Sequence, residues 1–152
     1  MKQVNIYFDV CCLNRPFDIQ KHDLIRIEAE AVIAIIKRLL TRKWRWVSSD
    51  VVNYEISRTE DYDKRNRLEL LAQRASLVIP WSEKIEKRGA ELEDLGFAPL
   101  DAMHIGSAEE GKVDILFTTD KKFLRCAQRN DRRIGLLVEN PVSFVLEDKK
   151  HG

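Results

Sequence analysis

The chain has 152 residues and a mass of 17.7 kDa, a length that predicts a single domain over residues 1–152. Apolar residues make up 44% and charged residues 34%, with 6 Gly and 4 Pro, a globular composition that argues against a disordered or fibrous chain. The formal net charge is +1, so the field of the whole molecule does not select a charged partner.

The apolar stretches and the cysteines bear on where the protein works. The longest apolar stretch, residues 31–36, is far shorter than the ~20 residues that cross a bilayer. Asp9 lies where a secretory signal would have its apolar run. Three cysteines cannot all pair, and Cys11 and Cys12 are adjacent, so a disulfide framework is not expected. We therefore expect a cytoplasmic protein without a membrane segment.

The first part of the chain predicts one strand, a loop and one long helix. Residues 4–8 are short, largely apolar and rich in β-formers, which predicts a buried strand. Residues 14–16, Asn-Arg-Pro, indicate a loop. Over residues 24–40 apolar side chains recur at three- and four-residue steps, which predicts an amphipathic helix.

The rest of the chain alternates short apolar stretches with helical patterns. The apolar stretches predict four further strands, at residues 44–47, 77–79, 113–117 and 134–138. Cap residues, Pro and Gly mark helices at residues 50–58, 63–75, 83–95, 99–110 and 121–128, and a last short helix from residue 141. Strands that alternate with helices predict an α/β fold with a parallel sheet covered on both faces.

Four carboxylates fall at one predicted edge of this sheet. Asp9 follows the first strand directly, Asp120 lies just past the fourth, and Asp101 is in the first turn of the helix before the fourth. The helix after the second strand contains Glu55, whose side chain leans back towards the same edge. Each residue alone has an ordinary explanation as a cap, a turn or a surface residue. Together they lie where open parallel sheets bind ligands.

A cluster of carboxylates needs compensating charge. Two carboxylates ~4 Å apart repel by several kcal/mol at a surface-like dielectric, so such a cluster predicts bound protons or a bound cation. Oxygen ligands without a matching Cys/His cluster favour Mg²⁺ or Mn²⁺ over zinc. The sequence therefore predicts a site for a hard divalent cation.

Two residue types near this edge have competing interpretations. His104 lies one helical turn after Asp101, but an isolated His is expected to be a packed or capping residue rather than a ligand. The three tryptophans, Trp44, Trp46 and Trp81, could stack on bases. Their positions at predicted strand ends favour packing instead.

Four blocks, in this order along the chain, resemble a known family. They are Asp9 after its apolar strand, the helix with Glu55, residues 99–105 (PLDAMHI) and residues 118–123 (TTDKKF). Together they resemble the PIN domain, whose best-known bacterial members are VapC-type toxin ribonucleases. The resemblance covers the chain from residue 4 to about residue 144 and implies a three-layer α/β/α sandwich with a mostly parallel central sheet of about five strands.

The resemblance also implies a function and a site. It implies a metal-dependent endoribonuclease that hydrolyses RNA phosphodiester bonds, the toxin of a type II toxin–antitoxin pair, present as a homodimer and restrained by a small antitoxin. Asp9, Asp101 and Asp120 would coordinate Mg²⁺ or Mn²⁺, and Glu55 would coordinate the metal or orient the attacking water.

The remaining predicted site residues would assist this chemistry. Thr119 would hydrogen-bond a metal ligand or the phosphate. The cations expected to bind the RNA backbone are Arg15, Lys121, Lys122, Arg125 and Arg129. Residues 121–133 have six basic residues against Asp131, but such a run can equally be a solvated helix face.

Two other functions are compatible with these residues. One is a catalytically silent PIN-like domain that binds RNA or a protein partner. The other is a phosphatase with Asp9 as the nucleophile. The second is disfavoured, because Cys11 stands where phosphatases of that kind have a second Asp.

Overall fold

The computed structural model describes residues 3–42 and 44–151. Its strands are β1 (Asn5–Phe8), β2 (Arg45–Ser49), β3 (Leu77–Ile79), β4 (Ile115–Phe117) and β5 (Leu137–Glu139). Its α-helices are α1 (Val10–Asn14), α2 (Asp23–Thr41), α3 (Asp50–Ser57), α4 (Tyr62–Ala72), α5 (Glu83–Asp94), α6 (Pro99–Glu110), α7 (Lys121–Arg129) and α8 (Pro141–His151). None of the helices among these residues is both long and apolar enough to cross a membrane.

The strands form one sheet in the order β3-β2-β1-β4-β5, and every pairing is parallel. The chain moves from β1 to β3 in one direction and then crosses to β4 and β5 on the other side of β1. Right-handed crossovers therefore place the connecting helices of the two halves on opposite faces. This confirms the predicted α/β fold with a parallel five-stranded sheet.

The central strand β1 lies in the middle of the core. Ile6, Tyr7 and Phe8 are at most 1% exposed, although Tyr7 has a polar hydroxyl. The Phe8 ring packs against Phe117 of β4 and edge-on against Trp46 of β2. A strand buried on both faces thus holds its C-terminal end, where Asp9 follows, in a fixed place.

The structure differs most from the predicted elements after the first strand and before the last one. The predicted loop after the first strand is instead α1 followed by a 3₁₀ turn at Arg15–Phe17, in which the proline lies at the helix start, where its missing N–H costs nothing. The last strand begins at Leu137 rather than at residue 134. The backbone N–H of Gly135 donates to Glu109 Oε2 at 2.9 Å, so residues 134–136 are tied to α6 and not to the sheet.

Candidate active site

Four acidic side chains and one imidazole lie at the carboxyl edge of the sheet. Asp9 follows β1, Glu55 belongs to α3 after β2, and Asp120 precedes α7 after β4. Asp101 and His104 lie in the first two turns of α6. Parallel strands all end at this edge, which explains why residues so distant in sequence come together.

The Asp9 carboxylate is buried and oriented by neighbours. Asp9 occupies the N-cap position of α1, but its side chain makes no capping hydrogen bond. Its Oδ2 instead accepts from Thr118 Oγ1 at 2.8 Å and from Cys11 Sγ at 3.2 Å, while Oδ1 lies 3.6 Å from His104 Nε2. Asp9 is therefore held with one oxygen towards the centre of the cluster.

The closest group in the cluster consists of Asp9, Glu55 and His104. One potential ligand atom from each of these residues lies within 4.8 Å of the other two. His104 Nε2 is 2.9 Å from Glu55 Oε1. An ionised carboxylate only accepts, so Nε2 carries the proton and His104 acts here as a donor that holds Glu55.

The charge of His104 responds to its neighbours. Burial opposes the charged imidazolium, but the hydrogen bond to Glu55 and the charges of Asp9, Glu55 and Asp101 outweigh it, so the pKa of His104 is raised. A protonated His104 offsets part of the negative charge of the cluster.

Asp101 is the carboxylate that the cluster perturbs most clearly. Burial first, and then the negative charges of Asp9 and Asp120, raise the pKa of Asp101 from 3.8 to about 7. Within the described residues its carboxylate has no hydrogen-bond partner. Asp120, by contrast, accepts from the backbone N–H groups of Lys122 and Phe123 at 2.9 and 3.2 Å and so caps α7.

The four predicted carboxylates therefore do not lie equally close together. Asp9 and Glu55 share the compact cluster with His104, whereas Asp101 and Asp120 stand outside its 4.8 Å limit and act on it through their charge. The carboxylate oxygens of this set suit a hard divalent cation, whereas His104 Nε2 is taken up by its hydrogen bond to Glu55. The raised pKa values of Asp101 and His104 reflect the uncompensated negative charge of the cluster, which a bound cation would offset.

The threonines after β4 divide their contacts. Thr118, to which the sequence assigns no role of its own, donates to Asp9, and its Oγ1 accepts from the backbone N–H of Asp120 at 3.1 Å. Thr119 is buried, and its Oγ1 accepts from Arg15 Nη2 at 3.2 Å. The hydroxyl that contacts Asp9 is thus that of Thr118, not that of Thr119. A role for Thr119 towards metal or phosphate stays a prediction.

Arg15 has several intramolecular partners. Its guanidinium donates to Glu28 Oε1 at 2.9 Å and to Asp18 Oδ2 at 2.8 Å, as well as to Thr119. Lys64 Nζ lies 2.6 Å from Asp18 Oδ1 and extends the network to α4. Two carboxylates therefore offset the charge of Arg15 before any RNA arrives, and its contact with RNA stays a prediction.

The predicted cations of α7 are free of such pairing. Its apolar side chains Phe123, Cys126 and Ala127 are buried, so the opposite face points to solvent. The cations on that face are exposed and have no ion-pair partner among the described residues: Lys121, Lys122, Arg125 and Arg129.

Two residues do more in the structure than the sequence predicts. His104 is packed, as expected, but it also joins Glu55 to Asp9. The sequence predicts Tyr7 only as part of a buried strand, yet its hydroxyl lies 2.7 Å from His104 Nδ1. A polar tip inside an otherwise apolar strand is the signal that points to this contact, because a buried hydroxyl needs a partner.

Comparisons with known proteins agree with this fold. The PIN domain family model matches residues 21–128 of the chain. A search among curated proteins gave no match. Solved structures give matches that cover nearly the whole chain.

Three of these structures illustrate the likeness. FitAcB from Neisseria gonorrhoeae has 16% sequence identity and a TM-score of 0.58, over 90% of this chain and 97% of that chain. VapBC-1 from nontypeable Haemophilus influenzae has 17% identity and a TM-score of 0.56, over 91% and 98%. VapBC2 from Rickettsia felis, bound to a DNA fragment from their promoter, has 18% identity and a TM-score of 0.53, over 91% and 98%. At these identities the likeness concerns the fold.

Proposed function

The chain belongs to the PIN domain family, and from that premise we propose that it is a Mg²⁺- or Mn²⁺-dependent endoribonuclease, the toxin of a toxin–antitoxin pair. The observation that carries the proposal is the cluster of buried Asp9 and His104 with half-buried Glu55, with Asp101 and Asp120 at its margin. We further propose that residues 1–152 form one domain.

The donor set supports a metal at this cluster. Carboxylates alone would repel a phosphodiester, so RNA can approach only if a cation stands between them. Asp9, Asp101 and Asp120 would hold that cation, and Glu55 would hold it or orient the attacking water. The bound cation would supply activation of water and neutralisation of charge at the scissile phosphate.

The chain's own residues set the geometry of this chemistry. Thr118 and Cys11 hold one oxygen of Asp9, which leaves the other turned towards the site. His104 holds Glu55 through Nε2 and, when protonated, tempers the repulsion among the carboxylates. Positioned side chains of this kind are what hydrolytic chemistry at a defined bond requires.

The substrate side of the proposal depends on α7. Its four exposed cations follow Asp120 directly and would bind the RNA backbone beside the cluster. Backbone contacts of this kind set the position of the strand, not the choice of sequence.

The partner side depends on α2. This helix leaves large apolar side chains in solvent, among them Leu24, Ile27, Ile33 and Leu40. Such a surface suits a second copy of the chain or an apolar segment of a small antitoxin. The likeness of the fold to structures named VapBC and FitAcB supports this part of the proposal.

Incubation of the purified chain with single-stranded RNA tests the nuclease. We expect cleavage products on a denaturing gel with Mg²⁺ or Mn²⁺, no products in excess EDTA, and recovery when the metal is restored. Asp9→Asn removes most of the activity, while Asp63→Asn, an exposed carboxylate in the first turn of α4, keeps it. Cleavage undiminished by EDTA, or a fully active Asp9→Asn, would contradict the proposal.

A growth experiment tests the toxin part separately. Overproduction of the wild-type chain alone should arrest growth, and Asp9→Asn should not. Normal growth with an active, soluble wild-type protein would leave a nuclease that is not a toxin.

A further inference from the structure

An apolar slot opens beside the acidic cluster. It encloses about 320 Å³, at the lower end of the ~300–1,000 Å³ of ligand pockets. Its walls are Asp50, Val51, Tyr54, Trp81, Leu100 and Met103. Two of these residues are large aromatics left in solvent, Tyr54 at 56% and Trp81 at 51% exposure. Exposed aromatic rings around a cavity indicate a binding surface.

The slot shares its two main helices with the cluster. On α3, Tyr54 immediately precedes Glu55, and on α6, Met103 immediately precedes His104. Leu100 precedes Asp101 in the same way. Asp50 follows β2 directly and Trp81 comes just after β3, so the slot lies at the same carboxyl edge of the sheet as the cluster.

A specific contact places Trp81 at this slot. Trp81 follows Pro80 just after β3, and its backbone N–H donates to Asp50 Oδ2 at 2.9 Å. Asp50 is the first residue of α3, so the bond ties the end of β3 to the helix that holds Glu55. The indole takes no part in this bond and remains free to contact a ligand.

Met103 is seated by a glycine on the neighbouring helix. A Cβ at Gly89 of α5 would lie 2.9 Å from Met103 Sδ. The absence of a side chain there lets the thioether lie against α5. The slot is thus lined by α3, α6 and the segment after β3, and α5 packs against Met103.

We propose that the slot binds one unpaired base of the RNA substrate, beside the scissile phosphate. This inference rests on the nuclease proposed above. Single-stranded RNA is recognised by stacking of its splayed bases on aromatic side chains, and every base has a flat face for Trp81 or Tyr54. A strand that crosses the acidic cluster would bring a neighbouring base to the edge of the sheet where this slot lies.

The size of the slot favours a base over a protein partner. A stable protein interface buries ~800 Å² on each side, far more than six residues around a narrow cavity can provide. One planar ring needs no larger surface than the slot offers. A protein partner is therefore the alternative that the experiment has to separate.

Equilibrium binding of a short, fluorescently labelled single-stranded RNA tests the slot. Anisotropy is measured with Ca²⁺ in place of Mg²⁺, and a denaturing gel verifies that the RNA stays intact. We expect Trp81→Ala to weaken binding about tenfold, ~1.4 kcal/mol, within the range for loss of one stacked base. Trp81→Phe keeps most of the affinity because it keeps a stacking ring.

Two further variants show whether a loss of RNA binding comes from the slot or from a folding defect. Tyr54→Ala removes the second ring from α3 and should also weaken binding. Tyr62→Ala removes a ring of similar exposure, 66%, that does not line the slot, and should bind as the wild type does. Circular dichroism and thermal melting verify that each variant is folded.

A series of RNAs that each lack one base links the slot to its ligand. In the wild type, removal of one particular base near the cleavage position should weaken binding about tenfold. In Trp81→Ala the same removal should cost nothing more, because the base and the ring act as a pair. Additive losses would contradict the assignment.

The outcomes distinguish this inference from the proposed function. If Trp81→Ala and Tyr54→Ala bind and cleave RNA as well as the wild type does, the slot does not bind a base. The nuclease proposal is then unaffected, and a protein partner is the better occupant of the slot. If the wild type neither binds nor cleaves RNA, the nuclease itself is wrong and the base-binding slot falls with it.

Discussion

The hydroxyl of Tyr7 lies 2.7 Å from Nδ1 of His104, and both side chains are fully buried. The same hydroxyl is 2.7 Å from Oγ of Ser49, which caps α3 by accepting from the backbone N–H of Val52. Glu55, which lies on α3, accepts from His104. The contacts therefore form a closed ring that runs from Tyr7 through Ser49 and α3 to Glu55, and from Glu55 through His104 back to Tyr7. Ser49 thus fixes the helix that holds the Glu55 backbone, and His104 fixes the Glu55 carboxylate.

Tyr7→Phe is expected to loosen this ring without removing the aromatic packing of β1. It leaves His104 Nδ1 without a partner and leaves Ser49 Oγ only its bond from Val52, which costs ~1–3 kcal/mol of folding stability. Loss of a residue that supports a site in this way lowers activity by roughly 10- to 100-fold. Urea denaturation and RNA cleavage measure the two effects. Tyr62→Phe, which removes an exposed hydroxyl, serves as the control, and equal behaviour of the two variants would mean that the ring does not position Glu55.

The sequence predicts which residues lie at the carboxyl edge of the sheet better than it predicts the contacts between them. Asp9 and Asp120 could be assigned to this edge because each follows a strand, and strand ends converge in a parallel sheet. The bond between His104 and Glu55 joins residues 49 apart on two helices whose crossing no local pattern specifies. The helix after β1 could not be predicted, because its five residues are too few for a periodic signal.

The titration of Asp101 makes stability depend on pH and on metal. With a pKa raised to about 7 from 3.8, Asp101 favours folding when protonated, so its contribution is complete below pH 4 and is lost as the pH rises through 7. Without metal, Asp101→Asn should therefore be more stable than the wild type at pH 8, by ~1–2 kcal/mol after allowance for solvent screening, and equal to it near pH 4.

Added Mg²⁺ should stabilise the wild type more than it stabilises Asp101→Asn. Binding of Mg²⁺ requires the deprotonated carboxylate, so added Mg²⁺ should raise the melting temperature of the wild type at pH 8 and much less at pH 5. Asp101→Asn should respond weakly at both values. Thermal melting with and without Mg²⁺ gives the comparison, and a wild type insensitive to Mg²⁺ at pH 8 would speak against a metal site here.

Gly111, at the end of α6, is expected to stabilise the fold by leaving room for the sheet. A Cβ at this position would lie 2.9 Å from Val47 Cγ1 and 3.0 Å from Ile79 Cδ1, both on buried strand residues. Gly111→Ala should cost ~1–3 kcal/mol through overpacking, and it should also disturb α6, which contains Asp101 and His104.

Gly135→Ala is the matched control for this change. Its Cβ would meet the Glu109 side chain at 3.5 Å, an ordinary contact. Urea denaturation of the two variants measures the difference. If Gly111→Ala proved as stable as Gly135→Ala, the end of α6 would have to move freely against the sheet.

The last prediction separates RNA affinity from chemistry on α7. Arg125 and Arg129 are exposed on the solvent face of this helix, which begins immediately after Asp120. Cations of this kind bind phosphates through release of counterions, so RNA binding should weaken steeply with salt. Neutralisation of both arginines to Gln should weaken binding and reduce the salt slope by roughly one unit for each phosphate that is no longer neutralised.

Turnover at saturating RNA should change little, because these arginines are expected to bind the substrate and the transition state equally. Arg125→Lys with Arg129→Lys preserves the charge and should keep the salt slope, which makes it the matched control. A collapse of saturated turnover with affinity intact would mean that the arginines act on the transition state. If affinity, slope and turnover all stay unchanged, the cations of α7 form a solvated face, and the RNA must approach the acidic cluster from another side.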